Sequence, residues 1–307
     1  MITLWQGSAN TWDCDEMGHM NVRPYVEKAM EGIGRFAFEI AMPGPFQENS
    51  ASTLVPQRQH IRYMREAMPG QPLSMVGCVI DWGDDWVDLY QEMRHGDGTP
   101  AAAMRTRLVH AEARSARPFN WNARSRERLK ALKGKPPKKT APRSLDPDAD
   151  TLARHEVTIE AADAAGAPVI GAGMVLPSQV DVHGRMWAPW FIGRVSDSVP
   201  NLLFDWRQRV AASAGGERMG GAVLEYRLVY RRWPRVGDLY EVRTGLNKVE
   251  EKFHSLVHWM LDPETGEAWM TSEAVAVTFD LDTRKIMPTS GEQMAEMERI
   301  APKGLKA

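Results

Sequence analysis

Cysteine is scarce in this chain: its 307 residues include two, Cys14 and Cys78. Both fall in the same half and neither has partners at metal-ligand spacing. That excludes a disulfide framework, gives no sign of a zinc site, and leaves free thiols and no bound metal as the expectation. A bulk excess of one charge is also missing. The formal net charge is −2 and the pI about 6.5, so nothing global points to nucleic acid or an anionic membrane, and neither is expected as a partner. No run approaches the roughly 18 uninterrupted apolar residues of a membrane helix, and the opening MITLWQGSANTWDCDE lacks the basic-then-apolar pattern of a secretion signal. A cytoplasmic location follows as an expectation. What is there, 43% hydrophobic and 25% charged residues, is the composition of a soluble globular protein long enough to bury two cores.

The chain carries one pattern twice. Asp15-Glu16-Met17-Gly18-His19-Met20-Asn21 runs into Tyr25, and Asp181-Val182-His183-Gly184-Arg185-Met186-Trp187 runs into Phe191. Asp15 and Asp181 stand 166 positions apart, as do Gly18 and Gly184; farther on, Tyr63 and Tyr230, like Gly70 and Gly237, stand 167 apart. One inserted residue over so long a stretch indicates two copies of a single structural unit. Only the first copy keeps its polar side chains, which points to one working half and one supporting half.

Each copy continues with an apolar stripe at helical spacing: Tyr25, Ala29, Ile33, Phe36 and Ile40 in the first, Phe191, Val195, Val199, Leu202 and Trp206 in the second. Gly32 and Gly34 would each cost the first helix about 1 kcal/mol relative to Ala, which makes sense if another backbone passes close by. Pro200 should kink the second helix. Segments alternating at period two follow each stripe, most clearly Val275, Val277, Phe279 and Leu281, and HGDG (95–98) and DPETGE (262–267) sit where hairpin turns belong. Each unit therefore reads as a strand, a long helix and about four antiparallel strands, an α+β fold. The expected division is 1–122 for the first unit, 123–150 for an exposed linker rich in Lys, Arg and Pro, 151–290 for the second unit, and 291–307 for a tail with a short surface helix. The alternative for the linker is that its cations meet a phosphorylated ligand.

Asp15 precedes a helix in a Gly-containing turn, where a carboxylate lies near unpaired N-terminal N–H groups. Such a turn can attack a polarised carbonyl, with the amides holding the oxygen and the carboxylate activating water or attacking directly. It can equally be a turn and cap, with Asp15 and Asn21 only satisfying backbone donors. The residues alone leave both readings open. Tyr25 falls on the apolar stripe and reads first as core. His60, on a strand expected to approach the helix start, is a candidate to line the pocket. In the second copy Arg185 beside Asp181 favours an ionised, paired carboxylate over a tuned base, and His183 has no counterpart in the motif. Of 11 tryptophans, Trp12, Trp82, Trp86, Trp187 and Trp190 fall near the turns or a pairing surface and read mainly as packing.

The run Asp15-x-x-Gly18-His19-x-Asn21, with Tyr25 and a helix after it, resembles the signature of the 4-hydroxybenzoyl-CoA thioesterase branch of the hotdog-fold superfamily. The likeness covers about residues 5 to 118 and, more weakly, 168 to 288. It implies a double hotdog, with the tandem copy standing in for a partner subunit. It implies that Asp15 is general base or nucleophile, that the Val22 amide polarises a thioester carbonyl, and that His19 and Asn21 assist; beside these, Tyr25, His60 and, in the second copy where the pattern departs, Asp181 and Arg185 are the further candidates for substrate contact. The implied reaction is hydrolysis of an acyl thioester of coenzyme A or of an acyl carrier protein, without a cofactor. A homodimer of double hotdogs is compatible with this. Two rivals stand beside it: a hotdog hydratase or dehydratase on the same thioesters, and a non-catalytic acyl-thioester binding protein.

Overall fold

The computed structural model describes residues 1–149, 152–213 and 219–307. The chain divides into two compact units, one formed by Met1–Pro147 with Ser178–Pro189, the other by Asp148–Pro177 with Trp190–Ala307. The boundary is therefore not the simple cut expected from the repeat. The turn of the second copy belongs with the first unit. Residues 150 and 151, at the junction of the expected linker and second unit, lie outside the described residues.

The first unit comprises β1 (Ile2–Ser8), α1 (Val22–Glu39), β2 (Ser52–Tyr63), β3 (Pro72–Trp82), β4 (Trp86–His95), β5 (Pro100–Glu112) and α2 (Ala123–Ala131). Its strands lie antiparallel in the order β1-β3-β4-β5-β2. The predicted stripe of α1 is its buried face: Tyr25 is 3% exposed and Ala29, Ile33, Phe36 and Ile40 are wholly buried. Asn21 caps the start. At the other end Ala41 turns left-handed at φ 59° and Met42 N–H donates to the Ala37 carbonyl, just ahead of Pro43. Gln91 of β4 donates to the Ala29 carbonyl at 2.8 Å, and a Cβ on Gly32 would come within 3.1 Å of that same amide and 3.2 Å of Met75 sulfur. Side chains, not a backbone, therefore require Gly32. Gly34 has only Phe46, at 4.0 Å.

The second unit repeats the plan with α3 (Ile159–Ala164), β6 (Val169–Met174), α4 (Ala188–Ser213), β7 (Met219–Tyr230), β8 (Leu239–Glu250), β9 (Phe253–Leu261), β10 (Ala268–Asp280) and α5 (Gly291–Ile300). Its strand order, β6-β8-β9-β10-β7, matches the first unit's strand for strand. The helix α4 continues through Pro200; Leu202 of the predicted stripe is partly buried against the core, and Leu203 beside it is fully buried. The two hairpin turns correspond as well: His95 N–H donates to the Thr99 carbonyl, and Asp262 N–H to that of Glu267.

Two expectations need correction. The basic segment after β5 is packed against the first unit. Ser125, Leu129, Thr140 and Leu145 are buried, Val79 N–H donates to the Leu132 carbonyl and Gly134 N–H to that of Val79, and the Thr140 hydroxyl meets Tyr90 Oη at 2.7 Å. A few anchors suffice to pin a chain whose nine basic and single acidic side chains over 123–143 read as linker. The tail is also more than a surface helix. Met297 and Ala301 are fully buried, in a cluster with Leu203, Trp206 and Leu256. Among the described residues, no helix is long and apolar enough to cross a membrane.

Candidate active-site turn

The segment from Asp13 to Asn21 is a pinched turn. Asp15 N–H donates to the His19 carbonyl at 3.1 Å and Gly18 N–H to the Asp15 carbonyl at 3.0 Å, while Cys14 and Met20 bridge its base. Gly18 sits at φ 78° with open space around its missing Cβ, so backbone conformation rather than crowding calls for glycine. Met20 N–H ties the turn to the Ala67 carbonyl at 2.8 Å, and Asn21 N–H ties its end to Asp13 at 2.9 Å.

Within this frame the Asp15 side chain is held at one oxygen and faces His19 with the other. Oδ1 accepts Met17 N–H at 3.0 Å, and Oδ2 lies 3.7 Å from His19 Nε2; both side chains are nearly buried, at 11% and 12% exposure. Burial pushes the Asp15 carboxyl above the usual carboxylate range, against the opposing pull of His19 and the Met17 amide. A carboxyl shifted this way binds protons more readily than a surface aspartate, as suits a group that must accept one.

His19 is flanked on its other side by Glu66, whose Oε1 lies 3.5 Å from Nδ1. That nitrogen is buried and without a hydrogen-bond partner. The imidazole thus stands between two carboxylates, just outside hydrogen-bond reach of each. Glu66 escaped the sequence reading because it lies 47 positions beyond His19. The signal that could have found it is the repeat itself. Where the second copy exchanges His19 for Arg185, it also exchanges Glu66 for Trp233.

The other candidates divide. Tyr25 is core as well as neighbour: its ring packs edge-on against Tyr63 at 5.1 Å, and burial lifts its phenol well above the ordinary range, only partly offset by the Ala67 backbone. The Val22 amide, expected to polarise a carbonyl, instead donates to Asn21 Oδ1 at 2.6 Å. Since Pro24 has no N–H, Val22 and Arg23 carry the first two backbone donors of α1, and an oxyanion would have to displace the Asn21 cap to use the first. His60 belongs elsewhere. Tyr63 faces α1, and the pairing of β2 with β5 is regular from His60 to Tyr63. Three steps of alternation place His60 on the opposite face, opposite Arg105.

Asp181 and Arg185 build the same turn with a different outcome. Asp181 N–H donates to the Arg185 carbonyl at 2.7 Å, Gly184 N–H to the Asp181 carbonyl at 3.0 Å, and Trp187 N–H to Gln179 at 2.8 Å. Gly184 has φ 74°. The Asp181 carboxylate, however, accepts His183 and Arg185 amides and the Arg185 guanidinium, whose Nη2 is 3.3 Å away. Among the described residues no cluster of three or more His, Cys, Asp or Glu side chains is placed to hold a metal ion; both cysteines are free thiols.

The family model described as the thioesterase-like superfamily matches residues 9–133 and 175–297. No curated protein matches the chain by sequence. Among solved structures, one described as an oleoyl thioesterase from Lactobacillus plantarum aligns with TM-score 0.64 and 11% identity over 89% of this chain and 94% of its own. A 12:0-ACP thioesterase from Umbellularia californica aligns with TM-score 0.64 and 12% identity over 89% and 92%. An acyl-ACP thioesterase from Bacteroides thetaiotaomicron aligns with TM-score 0.60 and 14% identity over 89% and 96%. At such identities the likeness is one of fold, and that fold is the double hotdog.

Proposed function

The chain belongs to the thioesterase-like superfamily, and from that premise we propose that it hydrolyses acyl thioesters with Asp15 as general base or nucleophile. Water, or Asp15 itself followed by water, adds to the acyl carbonyl carbon. The C–S bond breaks, the carboxylic acid leaves with the new C–O bond, and the proton taken from water reaches the departing thiolate. His19 hands that proton on or steadies the carboxylate, and Glu66 holds the ring from behind. Asn21 keeps the helix start in place until the carbonyl oxygen takes over the Val22 amide.

The observation that carries this reading is the nearly buried Asp15–His19 pair, flanked by the more exposed Glu66, with the Asp15 carboxyl pushed up by burial. Asp181, neutralised by Arg185, serves the second half as a turn residue. The acyl group is carried on coenzyme A or on a carrier protein in the cytoplasm, and the basic 123–143 segment favours such an anionic carrier. Thiol release measured together with acid formation over a panel of acyl-CoA and acyl-carrier thioesters tests the proposal. One thiol per acid is the expected result. Binding without thiol release would leave a binding protein, and a change in the acyl chain with the thioester intact would indicate a hydratase.

A further inference from the structure

A buried ion pair lies at the root of the Asp15 turn and has no part in the reaction as described. Lys28 Nζ, six positions into α1, stands 2.9 Å from Asp13 Oδ2, and the two side chains are 9% and 8% exposed. Asp13 is tied at three points. The same Oδ2 accepts Asn10 N–H at 3.1 Å, and the Asp13 carbonyl accepts Asn21 N–H at 2.9 Å. The turn therefore begins and ends on one residue, and that residue is clamped to the helix. Lys28 in turn lies over the Trp5 ring, 5.5 Å from its centre, while Trp5 Nε1 donates to Glu31 on the same helix.

Removing two charges from water is expensive, and an apolar pair of similar volume is often at least as stabilising. Its retention needs another reason, and the second copy supplies a control inside the chain. There Gln179 stands for Asp13 and Arg194 for Lys28. Gln179 is buried, and Arg194 turns to Asp197 at 3.2 Å and to the Trp190 and Tyr240 rings. Even so, the second turn closes with the same backbone hydrogen bonds and the same left-handed glycine. The turn thus folds without the ion pair. What the pair accompanies is the working carboxylate: the copy that lacks it also lacks the counterparts of His19 and Glu66.

We infer that Asp13 and Lys28 are positioning residues for thioester hydrolysis, a buried clamp that fixes the start of the Asp15 turn against α1. This rests on Asp15 as the working carboxylate. The clamp restricts the Asp15 carboxylate to the short range from which it reaches the reacting carbon, and small misplacements are costly there, on the order of a hundredfold in rate per ångström.

The test compares Asp13→Asn, Lys28→Met, Lys28→Arg, the double variant Asp13→Leu with Lys28→Met, and Asp15→Asn, each measured for melting temperature, kcat and KM on the best acyl thioester of the wild-type protein. Either single charge-breaking variant should lower both melting temperature and kcat, the latter about tenfold or more, with KM changed little. Lys28→Arg should recover most of kcat. The apolar double variant should regain the melting temperature and leave kcat low, an outcome that a merely structural pair would not produce. Recovery of both in the double variant would overturn the inference, as would wild-type kcat in a folded Lys28→Met protein. Asp15→Asn separates the two levels: if it turns over normally, the assignment of the working carboxylate fails first, whatever the clamp variants do.

Discussion

The turns at Asp15 and Asp181 share a backbone and differ in what surrounds the carboxylate. Each is closed by the same pair of hydrogen bonds, each has a left-handed glycine at its third step, and each hands its end to a long helix. In the first, the carboxylate faces an imidazole at 3.7 Å, backed by Glu66. In the second it faces a guanidinium at 3.3 Å. An arginine neutralises its partner and holds no labile proton at any working pH, whereas an imidazole can pass one on. The backbone motif therefore marks where a carboxylate is held, and its neighbours differ in whether they can exchange a proton with it.

The comparison breaks most visibly at Asp15. Asp15→Asn should preserve the fold and lower kcat by about two orders of magnitude or more. The same variant carries a stability signature with a definite sign. Burial raises the folded-state carboxyl above its unfolded value, so its contribution to stability is fully present below the unfolded value and is lost as pH rises through the folded one. Ionising Asp15 in the folded protein therefore carries a cost that asparagine removes. Thermal denaturation as a function of pH should show the variant gaining on wild type as pH rises; a variant that loses ground to wild type with rising pH would contradict the raised carboxyl.

Next in size are His19→Ala and Glu66→Ala. Each should reduce kcat/KM about tenfold to a hundredfold, and together they should fall well short of the product of the single effects, because both act through one ring. Full additivity in a double-mutant cycle would separate Glu66 from the site. Asp181→Asn sharpens the other side of the comparison. It strips a carboxylate that accepts two amides and a buried guanidinium, and should cost about 1–3 kcal/mol of stability while the chemical step of the folded protein stays within a few-fold of wild type. The smallest effect is expected at the exposed cations of the 123–143 segment. Arg124→Ala or Lys130→Ala should change stability by less than about 0.5 kcal/mol, while Leu129→Ala, a fully buried anchor, should cost about 2–5 kcal/mol.

Much of this is legible in the sequence itself. The stripe from Tyr25 to Ile40 announced the buried face of α1, and the 166-residue offset announced that the second half would repeat the first. The turn was legible because glycine at a left-handed position and an aspartate before a helix are local signals. What stayed hidden was non-local. Glu66 reaches His19 only because Met20 pairs with Ala67, and Lys28 reaches Asp13 only because the turn folds back on α1. The face taken by His60 depended on strand register, where a single step reverses the side. The 123–143 segment misled because its charge is dense and its anchors are sparse. Leu129 and Thr140 are enough to pin it, yet too few to form a periodic stripe.

The most direct measurement is a paired one, thiol release by Asp15→Asn and Asp181→Asn at the same pH, on one thioester and at matched folded concentrations. If one turn works and the other supports, the first variant retains about one hundredth of wild-type kcat or less and the second stays within a few-fold. Loss of turnover in Asp181→Asn with activity intact in Asp15→Asn would contradict that division of labour and place the chemistry in the other copy.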